Sequence, residues 1–249
     1  MAVSSLKQVR PVLLFAGVDV STLGVLQQDV LSLFAPGPAA AIALWKTLRA
    51  LVPQTGHWPV VLGEDDEIAS LLEGMADAEP LVHRRAAALK EIPDPARWHE
   101  DEYGERPSTE ASEPDDGWPS PDKKESWVIP RGMAKAPRSS VRVALVPTAA
   151  SWEVPLHLCF GGFNSCPAST QHASLLRRWS EEYGAEVFSM SGDTFEVAVT
   201  RPPQTHGQAM TLAREQSLYC DDLVSQGVGS VGNLAAALWR APSWFFWWD

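Results

Sequence analysis

Apolar and polar positions change rhythm several times along the chain, and each change predicts an element. Residues 12–18 (Val-Leu-Leu-Phe-Ala-Gly-Val) form a short apolar run that reads as a strand. Ile42, Trp45, Leu48 and Val52 recur at three- and four-residue spacing, which predicts a helix over 39–51. Residues 58–62 read as a buried strand following Gly56. Glu64, Asp65 and Asp66 then stand where a helix dipole favours acids, opening a helix through Leu72. A further helix is predicted over 81–92.

From residue 141 the signals sharpen. Residues 141–146 predict a strand. Val154, Leu156, Leu158 and Phe160 alternate with Pro155, His157 and Cys159, which is strand periodicity. The run from Gly161 to Pro167 is a tight loop, and Pro167 suits the first position of a helix, placing Cys166 at or near its N-cap. That helix directs His172 or Ala173, Leu176, Trp179 and Tyr183 inward, and Gly184 ends it. Strands over 185–190 and 194–200 join through Gly192-Asp193 as a hairpin, and Pro202 and Pro203 stop the second. Thr205-x-x-Gln208 is a capping box for a helix that buries Ala209, Leu212, Ala213 and Tyr219. Ser230 caps a last helix through Trp239, and the aromatic tail from Trp244 to Trp248 follows, some of its rings closing the core. The C-terminal order β-β-α-β-β-α-α predicts the α+β class: a mixed or antiparallel sheet with helices packed mainly on one face.

Composition changes this picture in one place. At 249 residues and 45% hydrophobic the chain supports one large domain or two small ones. The net charge of −11 suggests a basic partner until it is located. Ten acidic residues and three basic ones lie between His99 and Ser126, so −7 comes from one proline-rich segment with few aliphatic residues. The chain therefore divides into an N-terminal α/β region (1–95), an acidic, Pro-rich linker or long loop (96–140) and a C-terminal α+β domain (141–249). Net acidity argues against nucleic-acid binding. No apolar run approaches the roughly 20 residues of a membrane span, and the apolar stretch 11–18 lacks a cleavage site, so neither a membrane nor a signal peptide is expected. Three cysteines, none before Cys159, fit no disulfide framework and point to a cytoplasmic protein.

Several C-terminal motifs occur in a familiar order. They are Gly161-Gly162-Phe163-Asn164-Ser165-Cys166-Pro167, Trp179-x-x-x-Tyr183-Gly184-Ala185-Glu186, Arg201-Pro202-Pro203, and Ala213-x-Glu215-x-x-x-Tyr219-Cys220-x-Asp222-x-Val224-x-Gln226-Gly227, closed by Phe246-Trp247-Trp248-Asp249. Together they resemble the bacterial, actinomycete-type proteins of the domain of unknown function 4253 family over about residues 150–249. Trp45-x-x-Leu48-Arg49 and Thr55-Gly56-x-Trp58-Pro59 resemble its usual upstream part. Phe163 replaces a tryptophan of the family pattern, and Cys220-Asp221-Asp222 replaces Cys-Pro-Asp. The resemblance implies a family and no reaction.

Candidate chemistry centres on Cys166. A thiol at a helix N-terminus is shifted toward thiolate, and Gly161 and Gly162, with Asn164 beside them, let backbone amides approach a ligand or an oxyanion. Against this, a free cysteine is often only a packing residue. Cys220 offers a redox partner, or a zinc site with Cys166 and His157 or Cys159, but the spacing matches no standard zinc pattern, so no metal and no cofactor are expected. Asp193 and Glu196 resemble a nuclease pair without its lysine, Ala198 standing there instead, and Glu196 is expected to face solvent. Glu215, Tyr219, Asp221, Asp222 and Gln226 crowd one helix end, where they line a pocket with Arg201 or Arg201 and Glu215 form an ion pair. His172 reads as a packing histidine. Two classes stay open. One is a binding or interaction protein, for an unknown protein or small molecule, of the kind bacteria pair with toxins. The other is a small-molecule enzyme with Cys166 as nucleophilic or redox thiol, Glu215 and Tyr219 as supporting catalytic groups, and Gly161, Gly162, Asn164, Arg201, Asp222 and Gln226 binding the ligand.

Overall fold

The computed structural model describes residues 2–63, 68–76, 78–104, 113–120 and 141–249. Among them seven strands share one open sheet: β1 (Gly24–Gln27), β2 (Val30–Ala35), β3 (Trp58–Gly63), β4 (Val141–Val146), β5 (Ala185–Ser191), β6 (Thr194–Val199) and β7 (Ser243–Trp247). The spatial order is β1-β2-β4-β3-β5-β6-β7. Neighbours run antiparallel throughout except β3 and β5, which pair parallel with Val61 opposite Ser189. One parallel contact thus joins two antiparallel halves into a mixed sheet. β4 lies between β2 and β3 although a long acidic segment separates it from them in sequence.

Burial explains which strands sit centrally. Successive side chains of a strand point to opposite faces, so an unbroken buried run requires cover on both. Val143 through Val146 of β4 and Phe195 through Val199 of β6 are such runs. The cover comes from the helices α1 (Ala2–Phe15), α2 (Pro38–Ala50), α3 (Val52–Thr55), α4 (Ala69–Ala76), α5 (Leu81–Lys90), α6 (Pro95–Tyr103), α7 (Val154–Leu158), α8 (Ser169–Tyr183), α9 (His206–Tyr219) and α10 (Val231–Leu238). α2 packs on β2, β3 and β4, α8 on β5, and α9 against α6 and α10. None of these helices is long and apolar enough to cross a membrane. The α+β class holds, with helices packing around a mixed sheet.

Most local signals give the expected element. Pro38 opens α2, which buries Ala41, Trp45 and Leu48. The two indoles of this half are satisfied by strand carbonyls, Trp45 Nε1 of α2 donating to Pro59 of β3 and Trp58 Nε1 of β3 to Val187 of β5, each at 2.9 Å. Thr205 and Gln208 cap α9 reciprocally, and Ser230 accepts from the Asn233 amide to cap α10. Gly184 ends α8 at φ 62°, where a Cβ would lie 1.9 Å from Thr200 Oγ1.

Three expectations are corrected and one element is added. Residues 12–15 belong to helix α1, whose Val9 and Leu13 are buried one turn apart while Phe15 is exposed; a short apolar run does not separate strand from helix. Residues 154–158 are helix α7, not a strand. Pro155 occupies its first turn, Val154, Pro155, Leu156 and Leu158 are all buried, and Cys159 stops it in the left-handed region at φ 54°. The alternation there reflects a helix buried on most sides. The aromatic tail, which the sequence leaves without an element, is strand β7 at one edge of the sheet, and Trp244 and Phe246 close the core as expected, between half-buried neighbours. The acidic segment is not linker throughout, because residues 95–103 form α6, N-capped by Asp94 accepting from the Arg97 amide at 3.1 Å. The acids expected to open a helix at 64–66 lie outside the described residues.

Candidate functional site

The loop between α7 and α8 is folded back on itself. Gly161 takes φ 106°, and a Cβ there would stand 2.0 Å from the Pro167 carbonyl oxygen and 2.7 Å from His172 Nε2. Only glycine lets the loop lie against that ring. The fold-back sets Cys166 Sγ 3.3 Å from His172 Nε2, and on the other side of the imidazole Nδ1 shares a short hydrogen bond with the Tyr219 hydroxyl. A loop residue, a residue of α8 and the last residue of α9 thereby form a thiol–imidazole–phenol chain. Phe160, Phe195, Tyr219 and Trp248 surround the imidazole, with ring centroids 5.2–6.2 Å from its own.

Electrostatically the chain is neutral. Burial pushes the His172 imidazolium pKa down to about 3, opposed weakly by the Pro167 carbonyl that bonds the ring. Burial pushes the Cys166 thiol up, and the nearby Cys220 adds to this, while Tyr219 is raised well above its ordinary value for the same reason. Two tautomers of His172 satisfy the geometry. In one, Nε2 accepts from the thiol and Nδ1–H donates to the phenol oxygen. In the other, the phenol donates to Nδ1, and Nε2–H donates to Sγ.

Cys166 and Tyr219 line a pocket of about 180 Å³ between α6, the start of α8 and the end of α9. Trp98, His99 and Tyr103 of α6 wall it on one side, Leu218 and Asp221 on the other. The sequence signals Cys166 and Tyr219 but not His172, whose partners lie on other elements. Nor does it signal α6, whose acidic composition resembles solvated chain. The one local signal for His172 is its inward position on a helix six residues after a cysteine that follows two glycines.

The remaining predicted residues lie elsewhere. Cys166 is two residues before the α8 N-cap, Ala168, and its own amide bonds the Phe163 carbonyl at 2.8 Å; burial, not a helix dipole, sets its acidity. The Gly162 amide bonds the Cys166 and Pro167 carbonyls, each at 3.1 Å, and so is engaged within the loop. Asn164 is exposed at φ 45°. Glu215 takes the Arg178 guanidinium and the Trp179 indole in two short hydrogen bonds, tying α9 to α8. Arg201 instead donates to the Ser180 and Glu181 carbonyls, 3.1 and 2.6 Å away, at the α8 C-terminus. Asp222 accepts from Gln226 Nε2 at 2.7 Å and from the Asp249 amide at 3.0 Å, pinning the end of the chain.

Cys220 Sγ donates to the Trp247 carbonyl, and burial raises its pKa to about 12. The half-buried Cys159 receives a hydrogen bond from Arg84 Nη1, and burial lowers His157 to about 4. No group of three metal-ligating side chains is assembled among the described residues. Asp193 is exposed in the hairpin turn, whereas Glu196, expected to face solvent, is buried and accepts from Ser189 Oγ at 3.2 Å. Strand β7 pairs along β6 there, opposing Glu196 with Phe245, and helps to remove it from water.

No curated protein and no solved structure matches the chain. Residues 142–249 match the family model described as Domain of unknown function (DUF4253). The part of the chain from β4 through β7, which carries the Cys166–His172–Tyr219 chain, is thus similar to that domain.

Proposed function

We propose that the protein is a binding protein whose site is the pocket between α6 and α9, with Cys166 and Tyr219 in its floor. The observation that supports this best is the neutrality of that floor. A thiol and a phenol line the pocket while burial holds both protonated and holds the imidazole between them uncharged. Such a chain fixes side-chain positions, as a preorganised binding surface requires. A nucleophilic cysteine needs thiolate, and the aromatic cage around His172 gives an imidazolium partner no compensating charge. Glu215, Arg201, Asp222 and Gln226 serve helix ends and helix contacts on this reading. The three free cysteines accord with a reducing bacterial cytoplasm, and the partner is a small molecule or the projecting group of a protein.

A second reading rests on one distance. Cys166 Sγ stands 3.3 Å from His172 Nε2, with Tyr219 orienting the ring, which is the layout of a nucleophile, its base and a third group. On this reading the charge of a bound ligand ionises the pair, with Nε2 in its unprotonated tautomer taking the thiol proton.

The binding reading is tested with ligand-observed NMR on a panel of neutral, cationic and anionic fragments, using the protein and an Ala168→Trp variant. Ala168 is exposed at the pocket wall, so the indole fills the mouth without entering the core. At least one fragment is expected to bind the protein and to lose binding in the variant. A panel in which no fragment is sensitive to the block overturns the reading.

A further inference from the structure

The lining of this pocket also narrows its ligand, an inference that rests on the pocket being a binding site. No lysine or arginine lines it among the described residues. Asp221 stands beside the floor at the end of α9, and Asp101 and Glu102 border it from α6. Arg97 approaches Asp101 at 3.7 Å, but both side chains are about 70% exposed (71% and 69%), where an ion pair is weak. Glu102 and Asp221 keep the mouth negative. The rings of Trp98 and Tyr103 line the same space, and ring faces attract cations. His99 lines it as well, its ring packed against that of Tyr103 with centroids 4.4 Å apart. The thiol and phenol below contribute lone pairs and no positive charge.

An anion entering here meets three carboxylates. A purely apolar group desolvates those carboxylates and offers them no compensating charge. At about 180 Å³ the space holds only a few heavy atoms, below the roughly 300 Å³ at which drug-sized ligand sites begin. We infer that the pocket receives a small positively charged nitrogen head, an ammonium or a guanidinium. A free amine and the basic side chain of a protein partner share this chemistry.

The test compares near-isosteric probes by NMR at matched ionic strength: tetramethylammonium, methylammonium and guanidinium against neutral tert-butanol and anionic pivalate. At least one cation is expected to bind the protein, to be lost in Ala168→Trp, and to weaken by about three- to tenfold in Asp221→Asn, the range of one partly desolvated charge contact. If tert-butanol or pivalate binds the blocked-sensitive site as well as the best cation, the charge inference fails while the pocket stands. If no probe and no fragment of the wider panel responds to Ala168→Trp, the pocket reading fails with it. Blocked lysine, as Nα-acetyl-lysine N-methylamide, distinguishes the two sources. Binding tighter than butylammonium supports a protein-borne lysine, and equal binding supports a free amine.

Discussion

Helices α8 and α9 are joined twice, by opposite means. At one end His172 and Tyr219 meet inside an aromatic cage with Cys166, and every group is neutral. At the other, Glu215 receives the Arg178 guanidinium and the buried Trp179 indole near the surface, with the two charged side chains a quarter to a third exposed. The charged junction keeps water nearby and avoids the full cost of desolvating ions. The buried junction has no such option and is built from groups that are uncharged at neutral pH. Residue type alone does not locate either junction: Glu215 ties α9 to α8, and His172, buried and satisfied as a packing histidine is expected to be, also centres the thiol–imidazole–phenol chain.

The largest expected effect breaks the neutral junction at its hinge. Gly161→Ala forces a Cβ against the Pro167 carbonyl and the His172 ring at positive φ, and is expected to cost about 3 kcal/mol, the range of a strained backbone plus a core clash, read from denaturant unfolding. A wild-type midpoint contradicts the close approach.

Acid separates the junctions next. The folded pKa of His172 lies below its ordinary 6.5, near 3, so its contribution is complete above pH 6.5 and is lost as pH falls from there toward 3. His157, held near 4, loses stability in the same direction. Each unprotonated imidazole adds a slope of up to about 1.4 kcal/mol per pH unit. His172→Gln is expected to flatten the decline between pH 6.5 and 4.5 relative to the parent protein. An unchanged slope contradicts a buried neutral His172.

Glu215→Ala leaves the Trp179 indole and the Arg178 guanidinium without their acceptor and is expected to cost about 2 kcal/mol. Fragment binding at the pocket should be retained under conditions where the variant is folded. Loss of binding in a folded variant places Glu215 in the site after all. The smallest effect comes from Tyr219→Phe, which removes one hydrogen bond to Nδ1 and keeps the ring. A loss of about 1 kcal/mol is expected from thermal or denaturant unfolding, and its absence means the phenol does not hold the imidazole.

The same contrast accounts for what was legible in the sequence. Elements set by neighbours in sequence were readable. The periodicity of Trp45 and Leu48, the Thr205–Gln208 box, Ser230, Gly184 and the Gly192-Asp193 turn each act within a few residues. Elements decided by distant packing were not. Residues 154–158 satisfy strand alternation and helix alike, and burial on most sides selects the helix. Glu196 alternates outward along β6, yet strand β7 arrives from about fifty residues away to pair over it. At the site, Cys166 and Tyr219 stood out by residue type. His172 did not, because what distinguishes it is the convergence of a loop, α8 and α9 on one ring. The helix α6 was obscured by acidity that in the fold borders a pocket.

The alkylation rate of each cysteine in the folded protein, followed across pH by mass spectrometry, tests the central claim most directly. A neutral, buried chain predicts that Cys166, 4% exposed, reacts more slowly than the half-buried Cys159, with no inflection below the ~8.5 of a free thiol. Rapid modification of Cys166 at neutral pH, with an inflection clearly below that value, contradicts the neutral floor and gives the site to thiol chemistry.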